Sequence, residues 1–574
     1  MDIYPVQKVL RPTSPQKFCA SATLGHPTLE RESVLTMSEI EASTGQSAES
    51  FFYPIDESSG LSDELFECCK SDISEDGLRE IIIQRHQLMP NSHVVDDYQF
   101  FRIACQNEGI TEGIIQCLLE YFPDAASATD DVCEQVALHY TCGNKNATVG
   151  IIQLLIDAAP DSVRSVDDID YTPLHYLCDN GVGELAAIEI LKLLIEKFPE
   201  AVRHEDSNGR LPIHHASGWR SPEFCRLLIE AYPGSERIAT TKGALSLHFA
   251  CATNSLETVQ YFYHLHSHAI DHKTRDGQCP IHHAITGTKE RDNPTNGVEI
   301  VRFLLDCDHD QKLKQYRGRA SLLLFACVLE YNEPNLHASV EIIKVLYDAQ
   351  PEAIEDNKIA SNIHRCHAHV QAFINGELVY AHQAKDFGLM TTPDVNGRLP
   401  LHRALQDNVR LGSIKLLVKG NPSAIRSSDD NGITPLHVAC QHHDSSSVVK
   451  YLVDLSTNNR ILKAVDYENN AALHYACLGA KYGTISLLLE SYDAVSVSKR
   501  NAHKKFPIHL LWESNQVTDR ESIDYTQSIF QLLRAYPDIV NCDVDVDDKV
   551  RMVGDSLSLF RQSKSNEKKR KLVA

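Results

Sequence analysis

The chain has 574 residues and a formal net charge of −23, from 55 Lys and Arg against 78 Asp and Glu. That balance argues against a nucleic-acid groove as the main activity, because phosphate binding requires clustered positive charge. Hydrophobic residues make up 43% of the chain, yet the longest apolar run, 322–329, falls far short of the ~20 residues that span a bilayer, so no membrane insertion is expected.

Residues 1–52 are rich in Ser, Thr, Pro and Glu, have no sustained periodicity, and read as a disordered leader. Lys8, Arg11 and several prolines stand where a secretion signal would need an apolar stretch. The 17 cysteines are odd in number and several recur in one slot. They predict small buried hydrophobes in a reducing, intracellular compartment, cytoplasmic or nuclear, rather than a disulfide framework.

From about Tyr53 a repeated unit takes over. His139, His175, His214, His248, His282, His364, His402, His437, His474 and His509 share one local frame, and several follow Pro and an apolar residue, as in Thr172-Pro173-Leu174-His175 and Thr434-Pro435-Leu436-His437. Proline lacks an N–H and fixes φ near the helical value, so Pro173, Pro212, Pro280, Pro400, Pro435 and Pro507 predict helix starts. Asp-x-Asn-Gly precedes three copies, at 206–209, 394–397 and 429–432, and Asn-Gly supplies the positive φ angles of a tight hairpin. A second helix follows each first one, as where Ile188, Leu191 and Ile195 keep helical spacing. It often stops at aromatic-Pro-acid, as in Tyr121-Phe122-Pro123-Asp124.

Cysteine three residues after the histidine slot extends the frame: Cys105 places a slot at Arg102, Cys327 at Leu324, and Cys68-Cys69 at Phe66. About thirteen units result, with a mean period of about 37 residues. This pattern resembles the ankyrin repeat, whose signature is the x-Pro-apolar-His quartet after a glycine hairpin. The resemblance implies an all-α solenoid of stacked ankyrin-type helix-turn-helix units with short hairpin fingers, over residues 53–545. A C-terminal extension, 546–574, follows.

Departures from the pattern carry expectations too. Val136, Leu211, Leu245, Cys279, Leu399, Ala471 and Phe506 stand where a helix-capping Thr belongs, and losing such a cap costs typically ~1 kcal/mol. These units are expected to be locally weaker. The unit at His364 lacks both Gly and Pro, although its second helix extends through Phe373, Leu378 and Tyr380.

Histidine and cysteine clusters invite a metal reading. Stacked repeats lie roughly 8–10 Å apart, whereas the ligands of one zinc converge to about 2 Å from the ion, so the ladder cannot form one site. Each slot histidine is instead expected to bridge its turn and the next unit, in the neutral form. His364, Cys366, His367 and His369 cannot converge from one helix, and His264, His266, His268 and His272 belong to a helix and its exit. No metal or other cofactor is expected. No phosphate-binding glycine loop, nucleophile elbow or His-Glu-x-x-His occurs, and Cys68 and Cys69 suit packing better than catalysis. The chain therefore reads as a non-enzyme.

What remains is surface. In ankyrin arrays the concave face, built from fingers and from positions four and five after the histidine, is the usual partner contact. Carried over, it comprises Arg210, Trp219, Arg220, Gln278, Arg398, Gln406, Asp407, Gln441 and His442, with Trp219 the strongest anchor because exposed Trp is enriched in hot spots. The resemblance thus implies a monomeric scaffold that binds other proteins and contacts no nucleic acid directly. The alternative is a nuclear regulator imported through Lys568, Lys569, Arg570 and Lys571.

Overall fold

A computed structural model describes residues 61–536, apart from 71–72, 89–97, 131, 180, 290, 292, 311–312, 314–320, 330–332, 456–459, 492–496 and 518–521. The leader, the expected array start near Tyr53, the extension 546–574 and its basic cluster lie outside these residues.

Thirteen antiparallel helix pairs follow one another among the described residues, and the chain is an all-α repeat solenoid. Unit 1 is Leu61–Lys70 and Glu75–Leu88; unit 4 is Pro173–Asp179 and Glu184–Lys197; unit 5 is Pro212–Trp219 and Pro222–Ala231; unit 13 is Pro507–Glu513 and Ile523–Ala535. The expected prolines each open a first helix, where the missing N–H costs no bond. Thr111, Thr148, Ser221, Ser255 and Ser522 cap second helices by accepting the backbone N–H three residues on. Where the second helix meets Pro and an acid, a short 3₁₀ turn follows, as in Pro123–Ala126 and Pro199–Arg203.

First helices stack on first helices and second on second. The cysteine slot is the axis of the first column: Cys69, Cys105, Cys142, Cys178, Cys251, Cys440 and Cys477 are fully buried. Trp512 fills the same slot in unit 13 and is buried as well. Fingers are laced by one backbone rung each. The N–H of Asp168 donates to Cys133 O, Ser207 to Ile169, Thr241 to Asn208 and Arg275 to Lys242, which joins units 3 to 7. Asp430 donates to Asn396, Tyr467 to Asn431 and Ala502 to Glu468, which joins units 10 to 13.

Between these runs the repeat changes. Unit 8 is Leu322–Val328 with Leu336–Ala349, and unit 9 pairs a six-residue helix, Asn357–Asn362, with the 18-residue Ala368–Lys385. The long second helix agrees with the sequence expectation, but the slot does not. His364 is exposed on a 3₁₀ turn, Ile363–Arg365, while Ile359, third in the first helix as His402 is in its own, is buried. Without proline or hairpin to mark the start, Asp356 caps that helix five residues earlier than a slot at His364 implies.

An extra helix, Phe387–Thr391, then packs on unit 10, Pro400–Gln406 and Leu411–Gly420. The unit 10 second helix touches both the long unit 9 helix and the unit 8 helix Leu336–Ala349. This contact is polar. Asp348 accepts from the Gly412 N–H at 2.8 Å and from Arg410 at 3.0 Å, and Tyr347 Oη lies 2.8 Å from Ser413 Oγ. Ser413 in turn donates to Glu377 of the unit 9 helix, whose carboxyl burial pushes up. Gly412 is needed for the approach: a Cβ there would lie 2.5 Å from the Tyr347 ring. The buried apolar residues fall into two clusters that part here, with Leu416 in the first and Ile414 and Leu417 in the second.

Candidate interaction surface

The slot histidines are structural hydrogen-bond bridges. In nine units Nδ1 accepts the backbone N–H of the residue before the first helix, including His139 from Val136 at 3.1 Å, His214 from Leu211 at 2.9 Å and His509 from Phe506 at 3.0 Å. Nε2 reaches a carbonyl of the next unit: His139 to Tyr171 O at 3.1 Å, His402 to Ile433 O at 3.2 Å, His437 to Ala464 O at 3.2 Å. Nε2 must donate, so the rings are neutral. Burial holds His214, His282, His437 and His474 down at about 4.

This bridge corrects the capping expectation. Thr434 makes no side-chain cap bond, and the Thr172 hydroxyl sits 2.9 Å from His175 Nδ1 rather than on the helix N-terminus. The histidine does the capping in every such unit, so an apolar residue at the Thr position removes no helix cap.

Each finger is organised by a polar hub. The Asp206 Oδ1 accepts from the N–H groups of Asn208 and Arg210, both at 2.8 Å, and Asp167, Asp394 and Asp429 do the same in their fingers. The second carboxylate oxygen receives a side chain next to the slot: Tyr176 at 2.7 Å on Asp167, Tyr475 at 2.7 Å on Asp466, His215 at 3.2 Å on Asp206. His215 also meets Asp179 at 2.8 Å. Its burial favours the neutral ring, but the two carboxylates outweigh that and hold it at about 9, a charged histidine in the core.

A third set of bonds closes the C-terminal ends of the first helices. In several units one side chain from the inter-helix loop reaches back to carbonyls of the preceding unit: Asn144 to Cys105 O and Asn107 O, Arg220 to Leu177 O and Val182 O, Asn254 to Ser217 O and Arg220 O. Arg291, Asn335, His443 and Ser514 continue the series. Sequence reasoning missed these residues, although Asn107, Asn144 and Asn254 recur in the frame.

Two of the surface candidates are thereby corrected. Arg220 is buried, its guanidinium engaged by carbonyls of unit 4, and Arg210 is buried in its finger with its guanidinium 5.6 Å from the Phe249 ring centre. Both lie inward because a long cationic side chain next to carbonyls or an aromatic face finds its partners within the stack. Trp219, at the end of the unit 5 first helix, keeps 51% of its surface exposed. Gln278 is half-buried in the unit 7 finger.

The remaining candidates gather in units 10 and 11. Arg398 donates to Gln406 at 2.8 Å and to Asp429 at 3.2 Å. Gln406, Asp407 and His442 are exposed, and Gln441 is half-buried beside His442. Partial burial, with Lys481 and Arg398 nearby, lowers the pKa of His442. The candidates thus form separate groups in different units rather than one cluster.

His367 and His369 are exposed at the start of the unit 9 long helix, with the His369 N–H on His367 Nδ1 at 3.3 Å. His272 Nε2 donates to the finger at Gly243 O, 3.1 Å away. Among the described residues no group of three His, Cys, Asp or Glu is placed to hold a metal. Burial raises the Cys68 thiol and takes Cys69 to about 12, opposite to the thiolate that a nucleophile requires.

A family model for ankyrin repeats in three copies matches residues 151–241, 183–273 and 401–501. These stretches fall within the two runs of laced fingers, and the chain carries ankyrin repeats there. Such repeats are generally protein–protein interaction modules and typically carry no catalytic activity.

Proposed function

We propose that this protein is a non-enzymatic adaptor that binds partner proteins through the side of the array formed by first helices and fingers. The observation that supports this most is Trp219: half its surface is open to solvent, while the neighbouring Arg220 is locked into the stack. A large aromatic on a fixed support is the usual form of an interface anchor, worth about 2 kcal/mol or more at a hot spot. The test is affinity capture with intact protein and with Trp219→Ala. The variant is expected to lose at least one partner while its melting temperature is kept; unchanged capture by the variant sinks the assignment of Trp219.

Lys568, Lys569, Arg570 and Lys571 support a second reading, entry into a nucleus. Tagged protein with these four residues replaced by Ala is expected to leave the nucleus if that reading holds.

A further inference from the structure

The unit 13 finger departs in charge from the rest of this acidic chain. Residues 499–505 read Lys-Arg-Asn-Ala-His-Lys-Lys, and Arg460 and Lys463 lead into the adjacent unit 12 finger. Its hub is neutral. Where units 3 to 5 and 10 to 12 place an aspartate, Asn501 accepts the N–H groups of His503 at 3.0 Å and Lys505 at 2.9 Å. No carboxylate inside the finger therefore offsets its cations.

The turn also presents one cation at a cost. Gly209, Gly243, Gly277, Gly397 and Gly432 take positive φ in their fingers, Glu134, Asp170 and Asn469 do so in units 3, 4 and 12, and here the position is filled by a cation, Lys504, at φ 62°. A side chain in that region is strained, and the turn holds the Lys504 side chain at the finger tip. Lys504 is exposed and, like Lys463 and Lys499, has no ion-pair partner among the described residues, while Lys505 pairs with Glu513 at 2.5 Å and His503 with Glu468 at 3.7 Å. The Arg500 guanidinium stacks 4.7 Å from the centre of the Phe506 ring, which fixes its direction.

Beside these cations the unit 12 finger carries Tyr467, 79% exposed. The two fingers form one ribbon through Ala502 N–H to Glu468 O at 2.7 Å and Asn469 Nδ2 to Arg500 O at 2.8 Å.

We propose that this ribbon is a docking site for a short acidic peptide segment, rich in Asp and Glu, of a partner protein, with Tyr467 as its apolar contact. This rests on the adaptor reading above and names the chemistry of one partner. A peptide is favoured over nucleic acid because the cationic area is one finger wide. Asp466 and Glu468 stand on the unit 12 finger beside the cationic one, and Asp429 and Asp430 on the unit 11 finger beyond, so a long polyanion would run onto carboxylates whereas a short one confined to the unit 13 cations and Tyr467 would not.

The test uses the full chain and a fluorescein-labelled peptide of alternating Asp and Glu, read by anisotropy. Lys463→Gln, Lys499→Gln and Lys504→Gly are combined; glycine suits the positive φ, so the fold should survive, and melting checks it. The expected result is about tenfold weaker binding in the variant, and in wild type a marked loss as salt rises from about 0.05 to about 0.3 M. A control that neutralises Lys192, Lys197 and Lys358 makes the same net charge change elsewhere and should bind as wild type does.

Equal binding by wild type and the finger variant overturns the proposal, as does tighter binding of a labelled single-stranded oligonucleotide than of the peptide. So does peptide binding that emerges only when Asp543, Asp545, Asp547 and Asp548 are changed to Asn, since the chain itself would then fill the site. If Trp219→Ala still reduces partner capture while the finger variant behaves as wild type in both assays, this proposal falls and the adaptor reading stands.

Discussion

Units 3 to 7 and units 8 to 9 are built from the same helix pair, yet they are held together differently. In the first group three kinds of bond recur between units: a slot histidine on a carbonyl of the next unit, a finger rung, and a loop side chain on the carbonyls of the unit before. In the second, Leu324 and Ile359 occupy the slots, and the long helix Ala368–Lys385 meets its neighbours around Tyr347, Asp348, Glu377 and Ser413. Helix packing alone extends a solenoid, whereas the polar bonds fix its register. Repeat stability is a sum of unit and nearest-neighbour terms, so an interface without those bonds can open separately.

Acid should affect the two regions in opposite order, and this is the largest effect expected. His214, His282, His437 and His474 sit at about 4 through burial, against about 6.5 in an unfolded chain. The unfolded state therefore binds their protons first. Their stabilisation is complete above about pH 6.5 and is lost as pH falls towards 4. His215 has the opposite sign: held up at about 9, it stabilises below pH 6.5 and its contribution disappears as pH rises through 9. Units 8 and 9, with no histidine in the slot, are spared directly. Hydrogen exchange at pH 7 and at pH 4.5 checks this, and an acid response led by residues 333–391 would contradict it.

A single substitution probes the same contrast. His437→Ala leaves the Thr434 N–H and the Ala464 carbonyl without their partner and opens a cavity, which should cost about 2–4 kcal/mol in urea unfolding. His364→Ala, on the exposed turn of unit 9, should change stability by less than about 0.5 kcal/mol. Comparable losses in the two variants would return His364 to the ladder.

How much of this was legible depended on local marks. Pro435 and the hairpin Asp429 to Gly432 fix a helix start and a finger by themselves, so units 5, 10 and 11 could be read residue by residue. The all-helical stack and the neutral bridging histidines were legible for the same reason. Unit 9 has neither mark, and the dense His364 to His369 run drew the slot away from Ile359, an ordinary isoleucine whose burial only the packing shows. The surface was harder still. Positional counting places Arg210, Trp219 and Arg220 alike on the outside, but whether a guanidinium points out or back depends on carbonyls some 40 positions earlier in the chain.

At neutral pH the weak interface should be the polar one. Amides of Ala368–Lys385 and Phe387–Thr391 are expected to exchange about tenfold or more faster than those of Pro173–Asp179 and Pro435–His442, a difference of about 1–2 kcal/mol in local opening. The motive is that no finger rung joins units 8 to 10 among the described residues, and that the apolar core parts at Leu416. Equally slow exchange in all four helices would show that the Asp348 and Ser413 bonds replace the rungs fully.

The smallest effect separates a surface residue from its buried neighbour within one loop. Trp219 is half-exposed and stands at the end of its helix, so Trp219→Ala removes little buried area and should shift stability by no more than about 0.5 kcal/mol. Arg220→Ala removes the donors for Leu177 O and Val182 O, whose alternative partner, water, is kept out by the stack, and should cost about 1–3 kcal/mol. The pair therefore decides what a binding defect means. Loss of partner capture with Trp219→Ala at unchanged melting temperature assigns the indole to the interface, because nothing in the stack depends on it. Loss confined to Arg220→Ala, in step with its melting temperature, assigns the defect to the joint between units 4 and 5.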